Sequence, residues 1–189
     1  MSALALTLDD GPDAVTTPRL LDLLGAHGAR ATFFPMAERA AAHPELIARM
    51  LSEHHTVGVH CTAHERHSEH DAQWGRRDAD RSLSVLTALG ARPGLWRTPW
   101  GDRAPWTAQV AAERGLRLVG WDVDTHDWRG DTAAEMWTAT CERLHPGAIV
   151  LAHDGIGPGA RRRHGAETIA YAARLIAHAD QHGLELEAL

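Results

Sequence analysis

Short apolar runs alternate with helix-period segments from one end of the chain to the other, and this alternation narrows the possible folds more than any other property of the sequence. Ala3–Leu8 reads as a buried strand stopped by the turn Asp10-Gly11-Pro12. Leu20, Leu21, Leu23 and Leu24 mark a helix over Thr17–His27 that ends at Gly28. The same reading gives strands at Ala31–Phe34, Thr56–Val59, Leu95–Arg97, Arg117–Val123, Ala148–Ala152 and Glu185–Leu189. It gives helices at Pro44–His54, Asp78–Leu89, Ala104–Arg114, Thr132–Leu144 and Thr168–His182. Strands and helices in strict turn, joined by short connections, predict parallel strands covered by helices. About seven strands in 189 residues make a small, incomplete α/β barrel, expected to be one domain spanning 1–189 with no linker, repeat or low-complexity segment.

In such barrels the active site gathers where the carboxyl ends of the strands converge. The turns after the strands here carry Asp9, His60, Arg97, Asp124 and His153, so the polar motifs fall on one end of the fold. Composition removes several other function classes. The net charge is −6, every one of the 19 basic residues is arginine, and the one basic run is Arg161–Arg163, which is a poor basis for nucleic-acid binding. No apolar stretch approaches the roughly 20 residues of a membrane span. Two cysteines, Cys61 and Cys141, are too few for a disulfide framework. The opening segment lacks a basic stretch leading into an apolar run, so the expectation is a cytoplasmic protein, with secretion the alternative for a trimmed sequence.

Five clusters carry the chemistry. In Asp9-Asp10-Gly11-Pro12 two adjacent carboxylates share a strand end; one can bind a cation while the other stays free as a base, although D-G-P is also ordinary turn chemistry. In His60-Cys61-Thr62-Ala63-His64 two imidazoles four residues apart lie on one face of a helical turn and can grip one metal ion, with Asp10 as third ligand. His67 and His70 lie on the same stretch and compete for the assignment. In Arg97-Thr98-Pro99-Trp100-Gly101 a buried arginine can clamp a carboxylate. Asp122–Trp128 concentrates acids and aromatics at a strand end, as a substrate cleft requires. In His153-Asp154-Gly155 a histidine is placed to protonate a leaving amine. Each cluster alone has a bland reading as a turn, a cap or a solvated loop.

Taken in order, the five resemble the motifs of the polysaccharide deacetylases, also known as the NodB-homology domain or carbohydrate esterase family 4, along essentially the whole chain. The resemblance implies a distorted, incomplete (β/α)7-type TIM-like barrel and a metal-dependent amide hydrolase that removes acetyl groups from N-acetylated amino sugars. It implies that Asp9 is the general base, that Asp10, His60 and His64 hold one divalent metal ion, and that Arg97 orients Asp9. It further implies that the Trp100 amide holds the oxyanion, that Asp127 pairs with His153 as the acid, and that Trp128 and Leu151 line the acyl pocket. The metal expected is zinc, with cobalt or nickel also accommodated by two histidines and a carboxylate. Two residues depart from the family pattern: Cys61 replaces a hydroxyl residue and leaves a thiol beside the metal, and Trp100 replaces a tyrosine.

The expected substrate is an N-acetylated sugar or a small acetamido compound, with no nucleic-acid or membrane partner. The sequence does not specify an oligomeric state. Rival readings are an O-acetyl esterase, a cyclic amide or imide hydrolase, and a non-catalytic carbohydrate-binding protein; the last has no use for the acid and base. Trp96, Trp121 and Trp137 are expected in the core, Glu65–Trp74 is expected to narrow the pocket, and Arg161–Arg163 reads as a surface run or an anionic-substrate contact.

Overall fold

A computed structural model describes residues 3–189. Strand β1 (Ala3–Asp9) sets the frame, and its alternation explains why. Leu4, Leu6 and Leu8 belong to one large buried cluster with the helical leucines Leu20, Leu21 and Leu24 and with Tyr171, Leu175 and Ile176. Thr7 and Asp9 lie on the opposite face and are buried among polar partners. Each leucine buried between sheet and helix contributes about 1.5–3 kcal/mol. Strand β2 (Thr32–Phe34) repeats the arrangement: Phe33 joins the outer cluster, while Phe34 packs with Leu95 and Val119 in a second, smaller core.

The remaining strands are β3 (Thr56–Val57), β4 (Leu95–Trp96), β5 (Arg117–Leu118), β6 (Val123–Asp124), β7 (Ile149–His153) and β8 (Glu185–Leu186). The main sheet runs β3-β2-β1-β7-β6, every pair parallel, and β8 fills in beside Ala3 and Leu4 at the start of β1. Strands β4 and β5 form a separate parallel pair. Val59 connects that pair to the main sheet: its N–H donates to Leu95 O at 2.8 Å and its carbonyl accepts from Arg97 N at 3.0 Å. Among the described residues no ladder joins β5 to β6, so the barrel is open there, as expected of an incomplete barrel. Helices α1 (Thr16–Ala26), α2 (Ala37–Ala42), α3 (Pro44–Ser52), α4 (Ala72–Ala88), α5 (Thr107–Glu113), α6 (Ala133–Thr140) and α7 (Ala166–His182) connect the strands. No described helix is long and apolar enough to cross a membrane.

Several expectations need correction. Arg117–Val123 is not one strand: it divides into β5 and β6 around Gly120-Trp121-Asp122, where the chain crosses the open side of the barrel and Asp122 Oδ2 accepts the Ile149 N–H at 2.8 Å. Helix α4 starts at Ala72 rather than Asp78, because Asp71 caps it by accepting the Trp74 N–H at 2.8 Å. The second helix, α2, is absent from the sequence reading; its six residues are too few for periodicity to show. Nor is His60–His64 a helical turn. Cys61 makes a parallel bridge to Met36, and the chain then bends irregularly to His64.

Candidate active site

Strands β1 and β7 bring the first pair of groups together. Their parallel register sets Asp9 beside His153 and Thr7 beside Leu151, so residues two apart on each strand face the same cleft. Arg97, fully buried just beyond β4, reaches across the barrel to this pair. Its Nη1 donates to Asp9 Oδ1 at 2.9 Å and to Thr7 Oγ1 at 2.7 Å, and its Nη2 donates to Gly120 O at 2.7 Å. The guanidinium lies 4.5 Å from the Phe34 ring centroid. Arg97 thus meets the Asp9 carboxylate through one nitrogen, and removing either partner would leave the other's charge buried and unpaired.

Asp10, His60 and His64 converge next to Asp9. The Nε2 atoms of both histidines lie 3.2 Å from Asp10 Oδ1. His60 Nδ1 lies 2.8 Å from Arg97 O, and a carbonyl only accepts, so Nδ1 carries the proton and Nε2 presents a lone pair. Asp10 Oδ1 is buried and makes no hydrogen bond. Lone pairs facing one another across 3.2 Å repel unless a cation lies among them, and a tetrahedral ion with bonds of ~2.0 Å separates its ligand atoms by roughly 3.3 Å. The three residues therefore fit a divalent metal. Asp10 has φ 71° and Trp100 has φ 54°, the left-handed region that L residues avoid at a cost of about 1 kcal/mol or more. Both strained residues line the cleft.

The other histidines of this region point elsewhere. His67 is fully buried, stacks on Trp106 at 4.9 Å between ring centroids and lies 3.1 Å from Thr107 Oγ1; burial pulls its pKa down to about 4. His70 stacks on Trp74 and pairs with Glu65. Cys61 is buried and is not one of the three grouped ligand residues Asp10, His60 and His64. The support that a hydroxyl residue would give the loop comes instead from Asp78 on α4, which accepts the Thr62 N–H at 3.1 Å and the Ala63 N–H at 2.7 Å.

On the far side of the cleft, His153 Nδ1 lies 2.7 Å from Asp127 Oδ1, so Nδ1–H donates and Nε2 is left for the cleft. Burial opposes protonation of His153, but the Asp127 charge and hydrogen bond prevail and raise its pKa to about 9. Asp154, fully buried, supports the Asp9-Asp10 turn by accepting from Gly11 N at 3.2 Å and from Thr17 Oγ1 at 2.6 Å; burial pushes its pKa up to about 7. Arg39 on α2 donates to Asp10 O and to Ile156 O, both at 2.8 Å, and so ties that turn to the loop after β7. Asp78, Asp154, Arg39 and Arg162 were absent from the expected site. The sequence signal for Asp154 was its place directly after His153; the other three lie in elements whose proximity only the fold reveals.

Asp9, Asp10, His60, His64 and His153 line a cleft of about 420 Å³, together with Trp100, Trp121, Trp128, Leu151, Arg162, Gly155 and the segment Gly157–Ala160. Trp128 and Leu151, expected at an acyl pocket, both lie in the wall of this cleft. Trp121, expected in the core, is a cleft wall instead, while Trp96 is fully buried and Trp137 packs near Tyr171. Of Glu65–Trp74, Arg66 reaches the cleft, 4.7 Å above the Trp100 ring. Within the Arg161–Arg163 run, Arg161 and Arg163 are exposed, as a surface run would be, whereas Arg162 is buried against Asp127 at the cleft wall.

Comparison with known proteins agrees with this geometry. Residues 2–119 match the family model described as polysaccharide deacetylase. The chain is 33% identical over 154 residues to a peptidoglycan-N-acetylglucosamine deacetylase of Bacillus cereus, covering 81% of this chain and 56% of that protein. It is 38% identical over 166 residues to a chitooligosaccharide deacetylase of Bradyrhizobium, covering 83% of this chain and 73% of that one. The chain thus spans little more than half the length of the first relative. The solved structure of a family 4 carbohydrate esterase from Streptomyces lividans, in complex with acetate, superposes with a TM-score of 0.87 at 29% identity, over 97% of this chain and 91% of the other. The chain belongs to the polysaccharide deacetylase family.

Proposed function

We propose that this protein is a metal-dependent N-deacetylase that hydrolyses the acetamido group of N-acetylglucosamine units. The observation that carries the reading is the placement of two differently supported proton-transfer groups, Asp9 on Arg97 and His153 on Asp127, on either side of the Asp10–His60–His64 cluster in one cleft. A pure binding protein needs neither group. The names of the two relatives supply the sugar class.

Asp10, His60 and His64 would hold one divalent cation, zinc first, which supplies Lewis acidity: it polarises an acyl oxygen and acidifies water. Asp9, oriented by Arg97, takes the proton from the attacking water. The Trp100 backbone amide donates to the oxyanion that forms on the acyl carbon. Trp128 and Leu151 enclose the acetyl methyl. His153, protonated through Asp127, gives its proton to the departing amine, and the products are a free amino sugar and acetate. Stacking of a sugar ring on exposed Trp100 suits a glycan lying across the mouth of the cleft.

The test is acetate release from chitooligosaccharides and N-acetylated peptidoglycan fragments by metal-loaded protein. Asp9→Asn should retain its metal by elemental analysis and lose about 10²-fold or more in turnover. Asp10→Ala or His60→Ala should lose metal and activity together. A fully active Asp9→Asn protein sinks the assignment. A second reading, O-deacetylation of acetylated sugars, draws on the esterase designation of the Streptomyces neighbour; preferential release of acetate from O-acetyl xylan would favour it.

A further inference from the structure

Arg162 has no role in the reaction as derived so far. Its neighbours Arg161 and Arg163 are exposed, as a surface run would be, but Arg162 is buried with only 8% of its surface accessible. It lies in the irregular stretch between β7 and α7. Backbone bonds from Arg161 N (2.7 Å) and Arg162 N (3.3 Å) to Trp128 O hold that stretch against the Asp127–Arg129 turn. The guanidinium then grips the acid pair from both sides. Nη1 donates to Asp127 Oδ2 at 2.9 Å and to Thr168 Oγ1; Nη2 donates to His153 O at 2.8 Å and to Gly155 O at 2.7 Å.

The count of donors on Asp127 gives these contacts a purpose. Oδ2 accepts from Arg162, from Thr168 Oγ1 at 2.6 Å and from the His153 N–H at 3.1 Å, while Oδ1 accepts from His153 Nδ1. Three donors on one oxygen fix the carboxylate plane and commit the other oxygen to the imidazole. The grip on His153 O fixes the backbone that carries the same ring. Both ends of the His153–Asp127 hydrogen bond are thus referred to one rigid, planar, permanently charged group.

We propose that Arg162, with Thr168, is a positioning residue for the proton-donating pair: it holds Asp127 and the His153 backbone so that His153 Nε2 faces the leaving nitrogen. The inference rests on the reading of His153 as the acid. It also separates from a general structural role, because the proton donor matters only when the leaving group needs a proton. An amine leaves poorly without one, whereas the phenolate of an aryl acetate leaves unaided.

The experiment compares Arg162→Met, Arg162→Lys and Thr168→Val with the wild type, all metal-loaded, on a chitooligosaccharide and on 4-nitrophenyl acetate. The expected result for Arg162→Met is a fall in kcat on the acetamide of about 10²-fold, the scale of general-acid catalysis, with KM and aryl-ester turnover changed by less than about threefold. Arg162→Lys restores part of the loss, Thr168→Val shows the same selectivity at smaller size and covers a failure of the methionine variant to fold, and Arg163→Ala matches the wild type. Equal losses on amide and ester overturn the proposal, as does full amide activity in Arg162→Met. A wild type that cleaves the aryl ester and no acetamide refutes the N-deacetylase reading instead. Crystal structures of the Arg162→Met and Thr168→Val variants then decide the positioning: a displaced His153 ring supports it, and an undisturbed 2.7 Å contact to Asp127 overturns it.

Discussion

Asp9 and His153 occupy neighbouring positions of one ladder, yet they are prepared for opposite work by what touches them. Asp9 has a guanidinium as partner, which fixes where its carboxylate points, and His153 a carboxylate, which favours the protonated ring, as the proposed base and acid require. The raised pKa of His153 has a consequence in each of two measurements. In the proposed mechanism acetamide turnover requires the protonated ring, so kcat should fall as pH rises through about 9, and Asp127→Asn should move that alkaline limb to lower pH. The folded-state pKa also lies above the unfolded value of about 6.5, so the stability this pair contributes is complete below that pH and is lost as pH rises through about 9. Thermal melting of wild type and Asp127→Asn from pH 6 to 10 checks the second point: the gap between their melting temperatures should narrow as pH rises.

At the scale of elements, the segment after β7 is as much a part of the site as the strands. A Cβ on Gly157 would lie 1.9 Å from Asp10 Oδ2 and one on Gly155 would lie 2.3 Å from Asp10 O, so the loop passes over the proposed metal-ligand carboxylate in direct contact. Gly157→Ala should displace that carboxylate, and metal titration should show affinity reduced by about 10-fold or more, the size of effect seen when groups supporting a ligand are disturbed. Glu38→Ala, on the exposed face of α2, should leave affinity unchanged. The strands and the five motif clusters were legible in the sequence because periodicity and strand-end position are local properties. The supports were not. Asp78 lies fourteen residues past His64, and Arg162 sits in a run that looks like solvated charge; only folding brings them beneath the His60–His64 loop and the Asp127 turn. Trp121 was misassigned for the same reason, since the break between β5 and β6 turns an apparent core position into a cleft wall.

At the scale of the whole molecule, the strands are unequally secured. Strand β1 is laddered on both sides, by β7 and β2, whereas β5 has one neighbour, β4, which meets the rest of the sheet at Val59. Amide hydrogen exchange should therefore be slowest in Leu6–Leu8 and Val150–Ala152 and fastest, among strands, at Leu118. The side chain that spans the unladdered interval is Arg97, with one nitrogen on Asp9 and Thr7 and the other on Gly120 O. Removing it strands a buried carboxylate, at a cost of about 3–5 kcal/mol, and unties Gly120 as well. The group that steers the base is thus also a tie-rod of the barrel wall. For anyone re-engineering this scaffold, the base side is closed to free variation, because each change there is also a change to the frame.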